Sequence, residues 1–181
     1  MPVSKSQQKA VHKYVKANYD RLELTGNDKV PYRYWAESGL LRICSGNAIS
    51  QNAVKDWYLE EYQNYGVCFP FFNYDRWMAR YLVEDMQNAF GGIFDPIAQG
   101  KQTLSAPMKE FGAIIKSHKL NYNNHPITRW CLTNVSIDID KNGNIQPCKF
   151  NQNARIDGFA ALLNAYVGYC NHANEYNSLI G

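Results

Sequence analysis

Two acids in this chain stand where an apolar stretch gives way to a helix. Asp157 lies in Asn153-Ala154-Arg155-Ile156-Asp157-Gly158-Phe159-Ala160-Ala161-Leu162-Leu163, at the mouth of an apolar helix. Asp75 lies in Asn73-Tyr74-Asp75-Arg76-Trp77, at the end of an apolar run with an amphipathic segment behind it. Carboxylates carried by two strand-to-helix junctions can converge on one spot, and hard oxygen donors brought together in this way suit a divalent metal. The chemistry such a pair supports is metal-assisted cleavage of a phosphodiester. Each acid also has a plainer role, because Asp accepts hydrogen bonds from the first free amides of a helix and suits the positive end of its dipole. Residue physics by itself favours that plainer role.

The other chemistry-bearing residues rank below these two. Lys149 and Arg155 flank the proposed acidic pocket and read either as phosphate contacts or as ordinary exposed basic residues beside a loop. Asp138 and Asp140 read as solvent-facing hairpin residues, since the period of two that turns Val135, Ile137 and Ile139 inward turns them out. His118 and His125 have no metal-pair spacing, and His125-Pro126 reads as a turn. Trp35, Trp57, Trp77 and Trp130 read as core rather than as a platform for stacked bases. The five cysteines, Cys44, Cys68, Cys131, Cys148 and Cys170, are odd in number and far apart with no C-x-x-C pair, so they read as reduced thiols without a zinc knuckle or disulfide framework. Cys148 has no visible base to activate it as a nucleophile.

Composition sets the frame for these residues. With 181 residues, 45% of them hydrophobic and 14% aromatic, the chain can bury the core of one domain. No run approaches the roughly 18 apolar residues of a membrane span, and Met1-Pro2-Val3-Ser4-Lys5 lacks the apolar core of a secretory signal, so a soluble, intracellular protein is expected. A net charge of +3 is too mild to announce a nucleic-acid binder on its own.

The elements follow from pattern. Ser4 to about Asn18 reads as a helix with Lys5, Lys9, Lys13 and Lys16 on a solvated face, and Tyr19 to Leu24 as a short strand before the turn Thr25-Gly26-Asn27-Asp28. A short helix from Pro31 stops at Gly39, and a second, capped by Ser50, runs through Val54, Trp57, Tyr58 and Glu61 with an apolar face fit to cover a sheet. Val67 to Tyr74 reads as a buried strand despite Pro70, then Arg76 to Phe90 as a helix ended by Gly91-Gly92, then Ile93 to Ile97 as a strand interrupted by Pro96. Ser105 and Pro107 open a helix with Met108, Phe111, Ile114 and Ile115 as its buried stripe, closing near His118. Asn134 to Asp140 and Asn144 to Lys149, joined by Asn142-Gly143, form a hairpin. Asp157 precedes the final helix.

In their order and spacing, several short pieces resemble the nuclease domain of large terminase subunits from tailed bacteriophages. They are Lys29-Val30-Pro31-Tyr32, Trp35 with Gly39-Leu40-Leu41, Gly46-Asn47, Tyr74-Asp75-Arg76-Trp77, Gln99-Gly100, Leu104-Ser105-Ala106-Pro107-Met108-Lys109-Glu110-Phe111, Arg129-Trp130, Asn134-Val135, Asp140-Lys141-Asn142-Gly143-Asn144, Pro147 with Lys149, and Arg155-Ile156-Asp157-Gly158. The resemblance implies an α/β fold, an incomplete RNase H-like (RuvC/terminase nuclease type) sheet flanked by helices, with an added N-terminal helix. Residues 1–25 look unlike the family, and residues 26–181 look like a partial nuclease domain. It further implies two Mg²⁺ or Mn²⁺ ions held by three acids, with Asp75 the second and Asp157 the third. The first acid belongs to an upstream strand that has no match here, and Asp20, Glu23 and Asp28 are poor replacements because ligand geometry is exacting. No Gly-x-x-x-x-Gly-Lys-Ser/Thr loop is present, so no ATP site is expected in this chain.

By the same resemblance, the activity is endonucleolytic cleavage of concatemeric viral DNA during genome packaging, in the cytoplasm of the bacterial host at the procapsid. The partners implied are double-stranded viral DNA, another chain supplying the missing nuclease strands and ATPase, the small terminase subunit and the portal. The contrasting expectation is a catalytically inactive packaging-associated interaction module or truncated remnant.

Overall fold

The computed structural model of the protein describes residues 30–46, 48–77 and 80–180. The predicted helix at Ser4 to Asn18, the strand at Tyr19 to Leu24, the acids Asp20, Glu23 and Asp28 and the boundary at residues 25–26 lie outside the described residues. The chain divides into two compact units after Tyr65.

The first unit holds two helices among its described residues, α1 (Tyr32–Glu37) and α2 (Gln51–Tyr65). Helix α1 ends as its sequence predicts. Gly39 adopts a positive φ of 73°, which lets the Leu40 amide donate back to the Trp35 carbonyl at 2.8 Å and satisfy an end-of-helix acceptor. Trp35 and Ala36 are buried, and the Tyr32 and Trp35 rings meet edge to face at 5.8 Å. Ser50 caps α2 through its Oγ, which accepts the Ala53 amide at 3.1 Å. No residue of α2 is fully buried, and Trp57 is 40% exposed. Val54, Trp57, Tyr58, Tyr62 and Tyr65 recur at helical spacing along one side of α2, broken by Glu61. Arg42 pairs with Glu60 of α2 through both arms of its guanidinium.

The second unit carries β1 (Phe71–Asp75), α3 (Arg80–Phe90), β2 (Ile93–Ile97), α4 (Lys101–Lys116), α5 (Pro126–Thr133), β3 (Val135–Ile139), β4 (Ile145–Lys149), α6 (Asp157–Asn171) and α7 (Ala173–Ile180). Strand β1 starts just after Pro70, whose missing N–H is therefore not asked of the ladder, while its carbonyl accepts the Ile93 amide at 3.0 Å. Strands β1 and β2 pair in parallel, with Phe71 opposite Ile93 and Asp75 opposite Ile97.

Side-chain alternation gives this small sheet two different faces. On one, Phe72 stacks on Phe94 at 4.4 Å and meets Phe90 of α3 at 5.7 Å. On the other, Phe71 and Asn73 meet α6, as does Ile97, which joins a core of Leu104, Met108 and Phe111 from α4, Cys131 from α5, and Phe159, Leu163 and Val167 from α6. The last three recur at i, i+4 and i+8, the spacing of one buried helix stripe.

Four expectations in this unit are corrected. Helix α4 begins at Lys101, four residues before Ser105, with Gly100 at its N-cap, and Pro107 lies inside it. Ser105 is not a cap: it is buried, and its Oγ accepts the Ile145 amide of β4 at 3.1 Å. His125-Pro126 is not an isolated turn but the opening of α5, with Pro126 at the first helical position and His125 Nδ1 accepting the Thr128 amide at 3.5 Å. The antiparallel hairpin of β3 and β4 forms as predicted, and Val135 packs against the core, but Ile137 and Ile139 are 52% and 63% exposed. The Asp138 side chain is 44% exposed, pairs with Lys101 of α4 at 2.9 Å and accepts from Gln146 at 3.0 Å. Of the four tryptophans, Trp35 is core and Trp130 packs against core residues, but Trp57 and Trp77 are open, the latter 76% exposed. The described cysteines are all free thiols, and no described helix is long and apolar enough to cross a membrane.

Candidate metal-binding site

Asp75 closes β1 and is half-buried, and its Oδ1 accepts the Trp77 amide at 3.0 Å, which turns the chain sharply away from the strand. Asp157 is the first residue of α6 and is exposed. The plainer role, helix capping, is not what Asp157 does here: the N-cap position belongs to Ile156, and no side chain caps the helix. The Asp157 carboxylate still lies at the positive end of the helix dipole.

The contacts between β1 and α6 fix how these acids face one another. Phe71 stacks on His172 at the end of α6 with ring centroids 4.8 Å apart, while the Asn73 amide lies against Gly168. Two residues forward along the strand thus match four residues backward along the helix, so strand and helix run in opposite directions. One more step brings Asp75 level with Asn164, consistent with Gln99, just past β2, donating to Asn164 Oδ1 at 3.0 Å. Asp157, Asn164 and Gly168 are spaced i, i+7 and i+11, which places them on one helix stripe at 3.6 residues per turn. Asp157 therefore faces the side of α6 on which β1 lies, about 10 Å along the helix axis from the level of Asp75.

This arrangement suits a hard cation in donor type. Both acids are carboxylates without an ion-pair partner among the described residues, and an offset of about 10 Å along the helix axis is wider than one ion bridges. The donor set is nevertheless short: among the described residues no group of three or more His, Cys, Asp or Glu is gathered to hold an ion.

Lys149 and Arg155 come to the Asp157 end through Asn134. The Asn134 carbonyl accepts the Phe150 amide at 2.9 Å, and its Nδ2 donates to the Arg155 carbonyl at 3.0 Å, which ties the end of β4 to the loop before α6. Both basic side chains are exposed, and Arg155 Nη1 donates to the Asn153 carbonyl at 3.3 Å. Beneath Asp157 lies Cys131. Burial pushes its thiol up, the Asp157 charge adds to the rise, and hydrogen bonds from the Gly158 and Phe159 backbones oppose it. A Cβ on Gly158 would fall 3.0 Å from Cys131 Sγ, so the first turn of α6 approaches α5 closely at a residue without a side chain.

Two residues that matter here were not singled out in the sequence. Asn164 is 8% exposed and Asn73 holds a buried Oδ1 with no hydrogen-bond partner. The signal for Asn164 was available, as an amide set inside Leu162-Leu163-Asn164-Ala165, seven residues after Asp157.

Comparison with known proteins agrees with this architecture. The chain is 24% identical over 143 residues to the large subunit of the terminase of Enterobacteria phage HK97, covering 77% of this chain and 28% of that one. It is 28% identical over 140 residues to protein YmfN of Escherichia coli strain K12, covering 74% of this chain and 29% of YmfN. It thus spans less than a third of either relative. The crystal structure of the HK97 bacteriophage large terminase superposes with a TM-score of 0.71 at 22% identity, over 84% of this chain and 31% of that one, and so shares its fold. The family model for the terminase large subunit, endonuclease domain, matches residues 9–173, and on that match the chain belongs to the terminase large subunit endonuclease family.

Proposed function

We propose that this chain is a metal-dependent DNA endonuclease unit that cuts concatemeric viral DNA during genome packaging. The observation that carries the reading is the shared stripe: Asp157 opens α6 on the side along which Asn164 and Gly168 run, and Asn73 lies against Gly168 two residues before Asp75. In this reading Asp75 and Asp157 hold Mg²⁺ or Mn²⁺, and a bound ion supplies an acidified water and neutralises charge on the leaving oxygen. Asn164 and Gln99 hold α6 at the carboxyl ends of the parallel strands, the edge where open α/β sheets bind ligands. Lys149 and Arg155 take the phosphate backbone as point and forked charges, which positions DNA without reading its sequence. A further acid, supplied from outside the described residues or by another chain, completes the set. Packaging at the procapsid, in the host cytoplasm, with the small terminase subunit and portal as partners, belongs to the same proposal.

Incubation with plasmid DNA and Mn²⁺ tests it. Cleavage by the wild type that is abolished in both Asp75→Asn and Asp157→Asn is the expected outcome. The second reading, an inactive packaging-associated interaction module, is favoured by the short donor set. It requires that the wild type leave plasmid intact, and that calorimetric titration with Mn²⁺ give the same trace for wild type and Asp157→Asn.

A further inference from the structure

At the opposite end of α6 from Asp157, a histidine closes the helix onto the sheet. His172 is the C-cap residue of α6, and its side chain is 18% exposed. Its Nε2 is in short contact with Asp95 Oδ2 of β2, a residue 77 positions away in sequence. Its ring lies nearly parallel to Phe71 of β1, with an interplanar angle of 14°. Its Nδ1 is buried without a hydrogen-bond partner, although Glu175 Oε1 of α7 stands 3.7 Å away. Among the described residues, the charged groups facing the imidazole are Asp95 from β2 and Glu175 from α7, while β1 offers the Phe71 ring and, one pleat further on, the uncharged Asn73 amide.

A neutral imidazole has one N–H, and with Nε2 donating to Asp95 it leaves Nδ1 as a bare lone pair directed at a carboxylate. Protonation turns Nδ1 into a donor facing Glu175, so the cation sits between two anions and bridges strand β2 to helix α7. We propose that Asp95, His172 and Glu175 form a protonation latch that holds the junction of α6 and α7 on the parallel sheet. Three consequences follow from its position. The latch ties α7 to β2, since α7 begins one residue after His172. It also fixes how far α6 slides along β1, because the helix is continuous from Asp157 to Asn171. Through that register it sets the height of Asp157 against Asp75, a consequence that rests on the nuclease reading above.

The linkage has a definite sign. The hydrogen bond to Asp95 raises the His172 pKa above the ordinary histidine value, burial opposes this, and the Asp95 and Glu175 charges add to the rise. A group raised on folding stabilises the fold fully below its unfolded pKa of about 6.5, and that stabilisation is lost as pH rises through the folded value.

The test is a pH series of histidine NMR and amide hydrogen exchange on the wild type, Asp95→Asn and His172→Gln. In the wild type the His172 midpoint lies above about 6.5, and protection of the α7 amides falls as pH rises through that midpoint after correction for intrinsic exchange. Asp95→Asn brings midpoint and loss of protection together back toward the ordinary value, and His172→Gln makes α7 protection independent of pH over this range. Wild-type protection that stays flat while His172 titrates overturns the latch, as does an Asp95→Asn midpoint equal to that of the wild type. Plasmid cleavage separates the two proposals: a wild type that never cuts removes the nuclease reading and leaves the latch to be decided by the exchange data.

Discussion

Replacing Gly168 with alanine puts the packing of α6 on β1 to a quantitative test. A Cβ at this position would lie 1.9 Å from Asn73 Nδ2, 2.2 Å from its Cγ and 2.3 Å from its Oδ1, all well inside van der Waals contact. Either the Asn73 side chain leaves its rotamer between strand and helix, or α6 lifts from the sheet. Overpacking of this kind costs about 1–3 kcal/mol. The gain in helix propensity from glycine to alanine offsets roughly 1 kcal/mol of it. The expected outcome is a net destabilisation of about 1 kcal/mol, which for a chain of this size lowers the melting temperature by about 2–4 °C. Thermal melts followed by circular dichroism on Gly168→Ala, Asn73→Ala and the double variant close a double-mutant cycle. Because Asn73→Ala removes the three atoms nearest the new methyl, the double variant should recover the loss and show a coupling of about 1–3 kcal/mol. A Gly168→Ala protein that melts higher than wild type, or a cycle with no coupling, would refute the account of how this helix is seated.

Three further outcomes follow from the described contacts. Asp75→Asn and Asp157→Asn should each abolish Mn²⁺-dependent plasmid cleavage while leaving the far-ultraviolet circular dichroism unchanged, since neither side chain is buried in the core. Ser105→Ala leaves the Ile145 amide without its acceptor and should cost about 1–3 kcal/mol in denaturant unfolding. The Asp140 carboxylate accepts from Asn144 Nδ2 at 3.0 Å and from the Asn144 and Asn142 amides at 2.9 and 2.8 Å, which lowers its pKa. A lowered carboxylate stabilises the fold above its unfolded pKa of about 3.9, and that contribution disappears as pH falls through the folded value; hairpin amide protection in Asp140→Asn should therefore lose this acid dependence.

Much of the element order is legible in the sequence because the punctuation is local. Gly39 ends α1, Gly91-Gly92 ends α3 and Asn142-Gly143 sits in the hairpin loop, each with a glycine at positive φ that other residues resist. Apolar Phe71 and Phe72 next to Asn73 and Asp75 announce β1, and Asp157 marks the start of α6. What escapes is decided at a distance. The start of α4 is hidden because Gly100 caps it without a side chain, while Ser105 and Pro107 imitate a helix opening four to six residues late. The alternation of β3 does not report that Ile137 and Ile139 stay exposed while Val135 packs on the core, nor that Lys101 and Gln146 hold Asp138. The fit of Asn73 against Gly168 and the contact of Asp95 with His172, the latter 77 positions apart, join distant parts of the sequence where no periodicity reports them. Asp75 and Asp157 are visible one by one, and their common side of α6 becomes apparent only once β1 and the helix are laid antiparallel.

Helix α6 touches β1, β2, α4, α5 and α7, and this gives the second unit a timetable as well as a shape. Roughly 80 residues separate the end of β1 from the start of α6. A ribosome adding about 5–20 residues per second takes about 4–16 s over that interval. During it Phe71, Asn73 and Ile97 have no lid, and α4 and α5 lack the surface on which they meet. The unit should thus behave as an all-or-none late folder on the ribosome, protease-sensitive until α6 emerges and then protected in a single step.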